Sequence, residues 1–311
     1  MLIRVVIIVI LVTHGLHGAT IKGGKAIEVG GIKQWIQFDG EEKAPVLLFL
    51  HGGPGNSAIS YSDRFTDKLK KHFLVVLWDQ RESGQTLTLN KSPQPLTVSL
   101  FVSDAVEVIE YLSTKYNQKK IYLAGHSWGG YLGLRIALAR PDLLVSYFAI
   151  SPMIHQLESE RLSLEAMKEK ATQENSTAEL TELAKVKVPF ENGEQLYYHR
   201  KWLSKLMNSS TPTREKVNHW SDTWLSLFNE GSETNFFELA PELTCPVYFL
   251  IGSNDYQTHF KLAESYYENV VCKGKELYWF THSAHNPHLT ESVKFQTIII
   301  DIKNQNLKSE L

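Results

Sequence analysis

The stretch Gly125-His126-Ser127-Trp128-Gly129 constrains this chain more than any other. It is preceded by Lys120-Ile121-Tyr122-Leu123-Ala124, a short apolar run of the kind that forms a buried parallel strand. It is followed by Gly130 and then by Tyr131 to Arg140, an apolar run stopped by Pro141, which reads as a buried helix. A strand that becomes a helix across a single residue crowds its own backbone, so only small residues fit two places either side of the serine. The same turn lifts the Ser127 hydroxyl above the end of the sheet. It also aims the backbone N–H of Trp128, at the helix start, towards any oxyanion formed there. The competing reading is a glycine-flanked structural serine; it weakens as further parts of a site are found.

A second glycine loop lies one strand earlier. Pro45 to Leu50 reads as a buried strand that runs into His51-Gly52-Gly53-Pro54-Gly55, where backbone can approach a ligand unobstructed by side chains. The Gly53 N–H is the second candidate oxyanion donor beside Trp128. The next strand, Phe73 to Trp78, leads into Asp79-Gln80-Arg81-Glu82-Ser83-Gly84, in which Asp79 and Arg81 are expected to form an ion pair bracing the loops. Thr97 to Lys115 is an amphipathic helix with Val98, Phe101, Ala105, Val108, Ile109 and Leu112 on one face, and Asp104, Glu107 and Glu110 expected to face away. Leu143 to Ser151 is a further strand. Late in the chain a strand over Cys245–Ile251 is followed by Gly252-Ser253-Asn254-Asp255. A helix over Lys261–Asn269 and a strand over Glu276–Phe280 then lead to Thr281-His282-Ser283-Ala284-His285-Asn286-Pro287. Asp255 can steady an imidazolium; Asn254, an uncharged amide, cannot.

His51-Gly52-Gly53-Pro54-Gly55, then W-D-Q-R-x-x-G from Trp78, then G-x-S-W-G from Gly125, in this order, resemble the proline iminopeptidase branch of the α/β-hydrolases. The likeness runs from about Gly30 to the C-terminus and weakens in the middle. It implies an α/β fold: a mostly parallel sheet flanked by helices, with an inserted helical cap. It implies Ser127 as nucleophile, His285 as base and Asp255 as the acid that orients it, in the order Ser…Asp…His. Of His282, His285 and His288, only His285 both follows small residues and has a proline two places later, as in the family. The resemblance implies no metal and no organic cofactor, and a small or short peptide substrate cut after a small N-terminal residue, typically proline. A carboxylesterase or lactonase, using the same three residues under a cap that binds no ammonium group, is the alternative. One departure is Glu82, where the family usually has glycine; if that position needs a positive φ, the loop after Arg81 must be shaped differently.

The expected division is 1–19, a signal peptide; 20–151, the first part of the core; 152–243, the helical cap; and 244–311, the second part of the core. Met1 to Arg4 followed by the apolar run Val5 to Val12 has signal-peptide architecture and is too short to span a membrane comfortably. Export to periplasm or medium is therefore expected, with an uncleaved N-terminal anchor as the alternative, because Leu16 and His17 fit poorly before a cleavage site. The cap reads as helices over Gln156–Lys170, Ala178–Lys187, Glu194–Met207 and Arg214–Phe228. Trp220, Trp224 and Phe228 fall on one helical stripe, by default the cap's own core and otherwise the roof of a pocket. An aminopeptidase must hold its substrate's ammonium with a carboxylate, which the family supplies from W-x-x-W-E. Here Trp202-Leu203-Ser204-Lys205-Leu206 has lost the acid, leaving Glu191, Glu194 and Asp222 as substitutes, so weak prolyl aminopeptidase activity is expected unless one of them points at Ser127.

A net charge of −2 suggests neither nucleic acid nor an anionic membrane as partner, and no Cys/His cluster has metal-ligand spacing. The two cysteines, Cys245 and Cys272, each precede a late strand; if those strands are parallel neighbours, an exported protein could bridge them.

Overall fold

The structure, a computed structural model, describes residues 18–309. Apart from a separate parallel pair, Glu242–Leu243 with Val271–Cys272, its strands are β1 (Thr20–Val29), β2 (Ile32–Glu41), β3 (Val46–Leu50), β4 (Leu74–Asp79), β5 (Ile121–His126), β6 (Leu144–Ile150), β7 (Val247–Gly252) and β8 (Lys275–Phe280). They form one eight-stranded sheet in the order β1-β2-β4-β3-β5-β6-β7-β8. The β1–β2 hairpin and the β2–β4 contact are antiparallel, and every pairing from β4 to β8 is parallel. Every residue of β3, β4 and β5 is buried, which is why these strands read as unbroken apolar runs. Alternate residues feed opposite faces: Leu48, Leu50, Val76, Trp78 and Leu123 pack on one side, Leu47, Phe49, Val75, Leu77 and Tyr122 on the other.

The main helices are α1 (Val98–Lys115), α2 (Trp128–Ala139), α3 (Gln156–Gln173), α4 (Thr177–Leu183), α5 (Gly193–Leu206), α6 (Arg214–Ser232), α7 (Phe260–Asn269) and α8 (Ser292–Ser309). On the first face α1 and α2 cover the sheet through Phe101, Val108, Leu132 and Ile136; on the second α8 does so through Phe295, Ile299 and Ile302. Helices α3 to α6 fill the stretch between β6 and β7, where the sequence showed no convincing strand.

Two expectations about charged residues are corrected. Asp104 does not face away: it is fully buried and takes the Arg81 guanidinium, with Nη2 3.0 Å from Oδ1 and Nε on Oδ2. Arg81 also donates to the Gly30 carbonyl at 2.6 Å, while Gln34 donates to Asp104 at 2.7 Å. Asp79 is therefore not the partner of Arg81. It accepts the N–H of Gln85 at 2.7 Å and the hydroxyl of Ser57, tying the glycine loop to the short helix Gly84–Leu89. The reason is direction: Arg81 reaches across the sheet end to α1, whereas Asp79 stays at the end of its own strand. Glu82 takes the positive φ itself, at 53°, so the loop keeps the shape a glycine would allow.

β7 and β8 are parallel neighbours, and Cys272 donates its S–H to the Cys245 carbonyl at 3.0 Å; both cysteines are free thiols. The candidate export segment falls almost wholly within residues 1–17, outside the described residues.

Candidate active site

The turn at Ser127 is as tight as its glycines suggest. Ser127 sits at φ 57°, ψ −114°, between the end of β5 and the first residue of α2. A Cβ on Gly125 would lie 2.2 Å from the Gly129 carbonyl oxygen, and one on Gly129 would lie 2.1 Å from that of Leu50. Neither position can carry a side chain while the turn stays closed. A left-handed φ at a non-glycine residue is strained, and here the packing of β3, β5 and α2 holds it. Trp128 opens α2, so its N–H belongs to the first turn, where helix donors have no intrahelical acceptor. The glycine loop crosses in front of this turn. Gly53 has φ 119°, and a Cβ there would fall 2.6 Å from the Gly55 nitrogen. Gly53 and Ser127 line the same cavity.

His285 stands on the loop after β8, with Nδ1 3.0 Å and 3.2 Å from the two Asp255 carboxylate oxygens. Asp255 is wholly buried after β7, and Oδ1 also accepts the N–H groups of Gln257 (3.0 Å) and Thr258 (3.1 Å). Burial alone would raise its pKa. The His285 ring and these N–H groups outweigh burial and hold the carboxyl well below the usual carboxylate range. With Nδ1 committed to Asp255, Nε2 is the nitrogen left to exchange a proton with a nucleophile. The other two histidines make no contact with Asp255: His282 is exposed and lines the cavity, and His288 is buried against Phe49, Phe65, Phe295 and the His126 ring. Ser127, Asp255 and His285 are thus brought to one place from three loops, with Gly53 and Trp128 beside Ser127.

Residues that the motif reading left without a role hold these parts together. Gln80 donates to the His51 carbonyl at 3.0 Å and accepts from the Trp128 indole at 3.0 Å, joining the two segments that carry the candidate oxyanion donors. Thr258 donates its hydroxyl to Asp255 at 2.9 Å. His126 donates Nε2–H to the His285 carbonyl at 2.7 Å, and its ring lies 4.8 Å from that of His285. Burial lowers the His126 pKa to about 3, so near neutral pH this donor is the uncharged ring. His126→Phe is expected to cut kcat about tenfold with little change in KM, since one hydrogen bond fixing the base's loop is lost. Steady-state kinetics beside an unchanged circular dichroism spectrum test it; unaltered kcat would leave His126 a packing residue.

The cavity above Ser127 has a volume of about 840 Å³ and is roofed by the helical insertion. Trp220 of α6 donates its indole N–H to the Pro54 carbonyl at 2.8 Å, and a Cβ on Gly55 would strike the Trp224 ring at 2.5 Å. The aromatic stripe therefore divides: Trp220 and Phe228 line the cavity, while Trp224 is buried against the glycine loop and Phe101. Glu191 and Glu194 pair with Lys187 and Arg214, Asp222 is exposed, and none of the three lines the cavity. Lys205 turns to Glu174 and Glu179 instead. Among the described residues lining the cavity there is no Asp and no Glu.

A family model described as the alpha/beta hydrolase fold matches residues 45–292. The chain belongs to the α/β-hydrolase family. Among curated relatives, it is 28% identical over 295 residues to a probable aminopeptidase, YbaC, of Bacillus subtilis, covering 87% of this chain and 93% of that one. It is 25% identical to a proline iminopeptidase of Heyndrickxia coagulans, over 88% of this chain and 96% of the relative. Among solved structures, the proline iminopeptidase of Mycobacterium smegmatis superposes with a TM-score of 0.67 at 18% identity, covering 93% of this chain and all of that one. The solved structure shares the fold over 93% of this chain, and the sequence likeness to the two curated relatives covers 87% and 88% of it.

Proposed function

We propose that this α/β-hydrolase works through an acyl-enzyme. Ser127 attacks the substrate carbonyl while His285 Nε2 takes its proton. The N–H groups of Gly53 and Trp128 receive the oxyanion, and Asp255 stabilises the imidazolium. His285 then gives the proton to the leaving group, and water enters by the same route in reverse. For the substrate, one observation carries the reading: the cavity over Ser127 is lined by no carboxylate. A desolvated ammonium would find no counter-charge there, so the substrate is a carboxylic ester, or an amide, whose acyl part bears no amino group. The second reading, an aminopeptidase cutting after a small N-terminal residue, is favoured by the names of the two long-matching relatives. Against it stands Glu160, the buried acid behind the lining, whose two oxygens Arg200 already occupies at 2.5 and 2.6 Å. Neutral short-chain esters assayed beside proline and alanine arylamides, with and without a blocked amine, separate the two. Ester cleavage with feeble arylamide turnover is expected. Efficient cleavage of a proline arylamide, abolished by blocking its amine, would reverse the order of the readings.

We also propose export of the mature chain, with residues 1–19 removed or kept as an anchor. N-terminal sequencing of the protein recovered from cell fractions decides it.

A further inference from the structure

The residues that line the cavity include two strong cations and no anion, and they are held differently. Arg200 of α5 is clamped along one edge: Nη1 and Nη2 meet the Glu160 oxygens at 2.6 and 2.5 Å, and Nη1 also donates to His199 Nδ1 at 2.8 Å. Its guanidinium lies over the rings of Phe190 and Phe228, at 5.4 and 5.8 Å. Glu160 is kept in place by Gln156, which donates to it at 2.7 Å and reaches the Gln257 carbonyl at 2.8 Å. Only 2% of the Glu160 side chain is exposed, against 16% for Arg200, so the anion faces the protein and the cation faces the cavity. A guanidinium carries more N–H donors than these bonds use, and the unclamped edge stays available. Lys216 of α6 lies one turn before Trp220 in the cavity lining; it is exposed and has no salt-bridge partner among the described residues.

A guanidinium clamped by Glu160 and set over two aromatic rings, with an exposed lysine in the same lining and no carboxylate there, is a receptor for a carboxylate. We propose that the cavity selects monoesters of short dicarboxylic acids, with the substrate's free carboxylate held by Arg200 and Lys216 while its ester carbonyl meets Ser127. The inference rests on the Ser127 hydrolase reading and narrows its substrate class. The chemistry balances without a further reagent. Ser127 Oγ forms an ester bond to the acyl carbon as the alkoxy bond breaks, and the alcohol leaves with the proton held by His285. Water then splits the acyl-enzyme, regenerating Ser127 and releasing the dicarboxylate.

Ethyl esters matched in acyl chain length and differing in charge test this, followed by proton release because activated aryl hemiesters cleave themselves. The pairs are ethyl hydrogen glutarate against ethyl valerate, and ethyl hydrogen adipate against ethyl hexanoate, with ethyl 6-aminohexanoate as the cationic member. At low salt at least one acidic ester should show kcat/KM about tenfold or more above its neutral counterpart, through KM, with the cationic ester poorest. Added salt should shrink that preference. Lys216→Gln should lower the acidic-to-neutral ratio, and Lys216→Glu should lower it further. Arg200→Gln strands Glu160, so the double variant Arg200→Gln/Glu160→Gln serves as its folded counterpart and should abolish the ratio. Acidic and neutral esters cleaved equally well, with ratios unmoved in the Lys216 variants, would overturn the inference and leave the hydrolase reading standing. No ester cleavage together with a Ser127 that resists a fluorophosphonate would bring down both.

Discussion

Ser127→Ala is expected to lower kcat by roughly 10³-fold or more while the protein remains folded. In the proposed mechanism the substitution removes the atom that would bond to the acyl carbon and leaves the cavity, the glycine loop and the His285–Asp255 pair in place. What remains is the rate that binding and oxyanion donors can sustain for attack by water. His285→Ala should lose about as much, and combining the two should add little, because the proposed mechanism has Ser127 and His285 act in one step. Asp255→Asn should fall between these variants and wild type. It keeps a hydrogen-bonding group but gives up the charge that stabilises imidazolium. Ester turnover and fluorophosphonate labelling are the readouts, with thermal melting as the control for folding. A folded Ser127→Ala protein that keeps a tenth of wild-type activity would sink the assignment.

The parts of this site that could be read from sequence are those set by local backbone geometry. Gly125 and Gly129 announce the turn at Ser127 because any larger residue would collide with a carbonyl oxygen a few residues away. Gly53 announces the loop before it for the same reason. The buried strands β3 to β7 are legible because a strand covered on both faces has no room for charge. Strand β1 is less so: Lys22 and Gly24 fall on its exposed face and Gly23 and Lys25 on its half-buried one, so no unbroken apolar run marks it. Helix α8 lies past the last motif, and its spacing of Phe295, Ile299 and Ile302 marks a core face that the motif reading does not reach.

What sequence did not reveal depends on contacts far apart in the chain. Asp104 reads as an outward-facing acid by its charge, and its burial at the edge of the core face is made tolerable by Arg81, 23 residues away, and by Gln34, 70 residues away. His126 reads as the free position of the G-x-S-x-G motif, yet it supports a carbonyl 159 residues later. Trp220 could belong to a core or to a roof until its indole is seen on Pro54, 166 residues before it. The lack of a glutamate after Trp202 in the helical insertion was legible from a short motif. That no other acid replaces it could be learned only from the cavity lining.

The buried histidines make the protein sensitive to mild acid, and the sign follows from which form each fold position accepts. Burial lowers His126 to about 3 and His199 to about 4, and it also lowers His51 and His288. Each is neutral in the folded protein, while in the unfolded chain it gains a proton below about pH 6.5. Between pH 6.5 and about 4 the unfolded state therefore binds more protons, and stability falls as pH falls. At pH 5 the penalty is about 2 kcal/mol for each of His126 and His199, or about 4 kcal/mol together. Asp255 works in another window: its depressed pKa keeps its contribution intact until the pH drops below the ordinary carboxylate range, so it does not mask the histidines. Urea unfolding at pH 7.5 and pH 5 should show the midpoint moving sharply down at the lower pH with little change in slope. His126→Phe should shrink that shift by removing one of the titrating groups, even though it removes a hydrogen bond at both pH values. Equal stability at pH 7.5 and pH 5 would mean that these rings accept protons within the fold, and the neutral His126 that anchors the His285 loop would no longer hold.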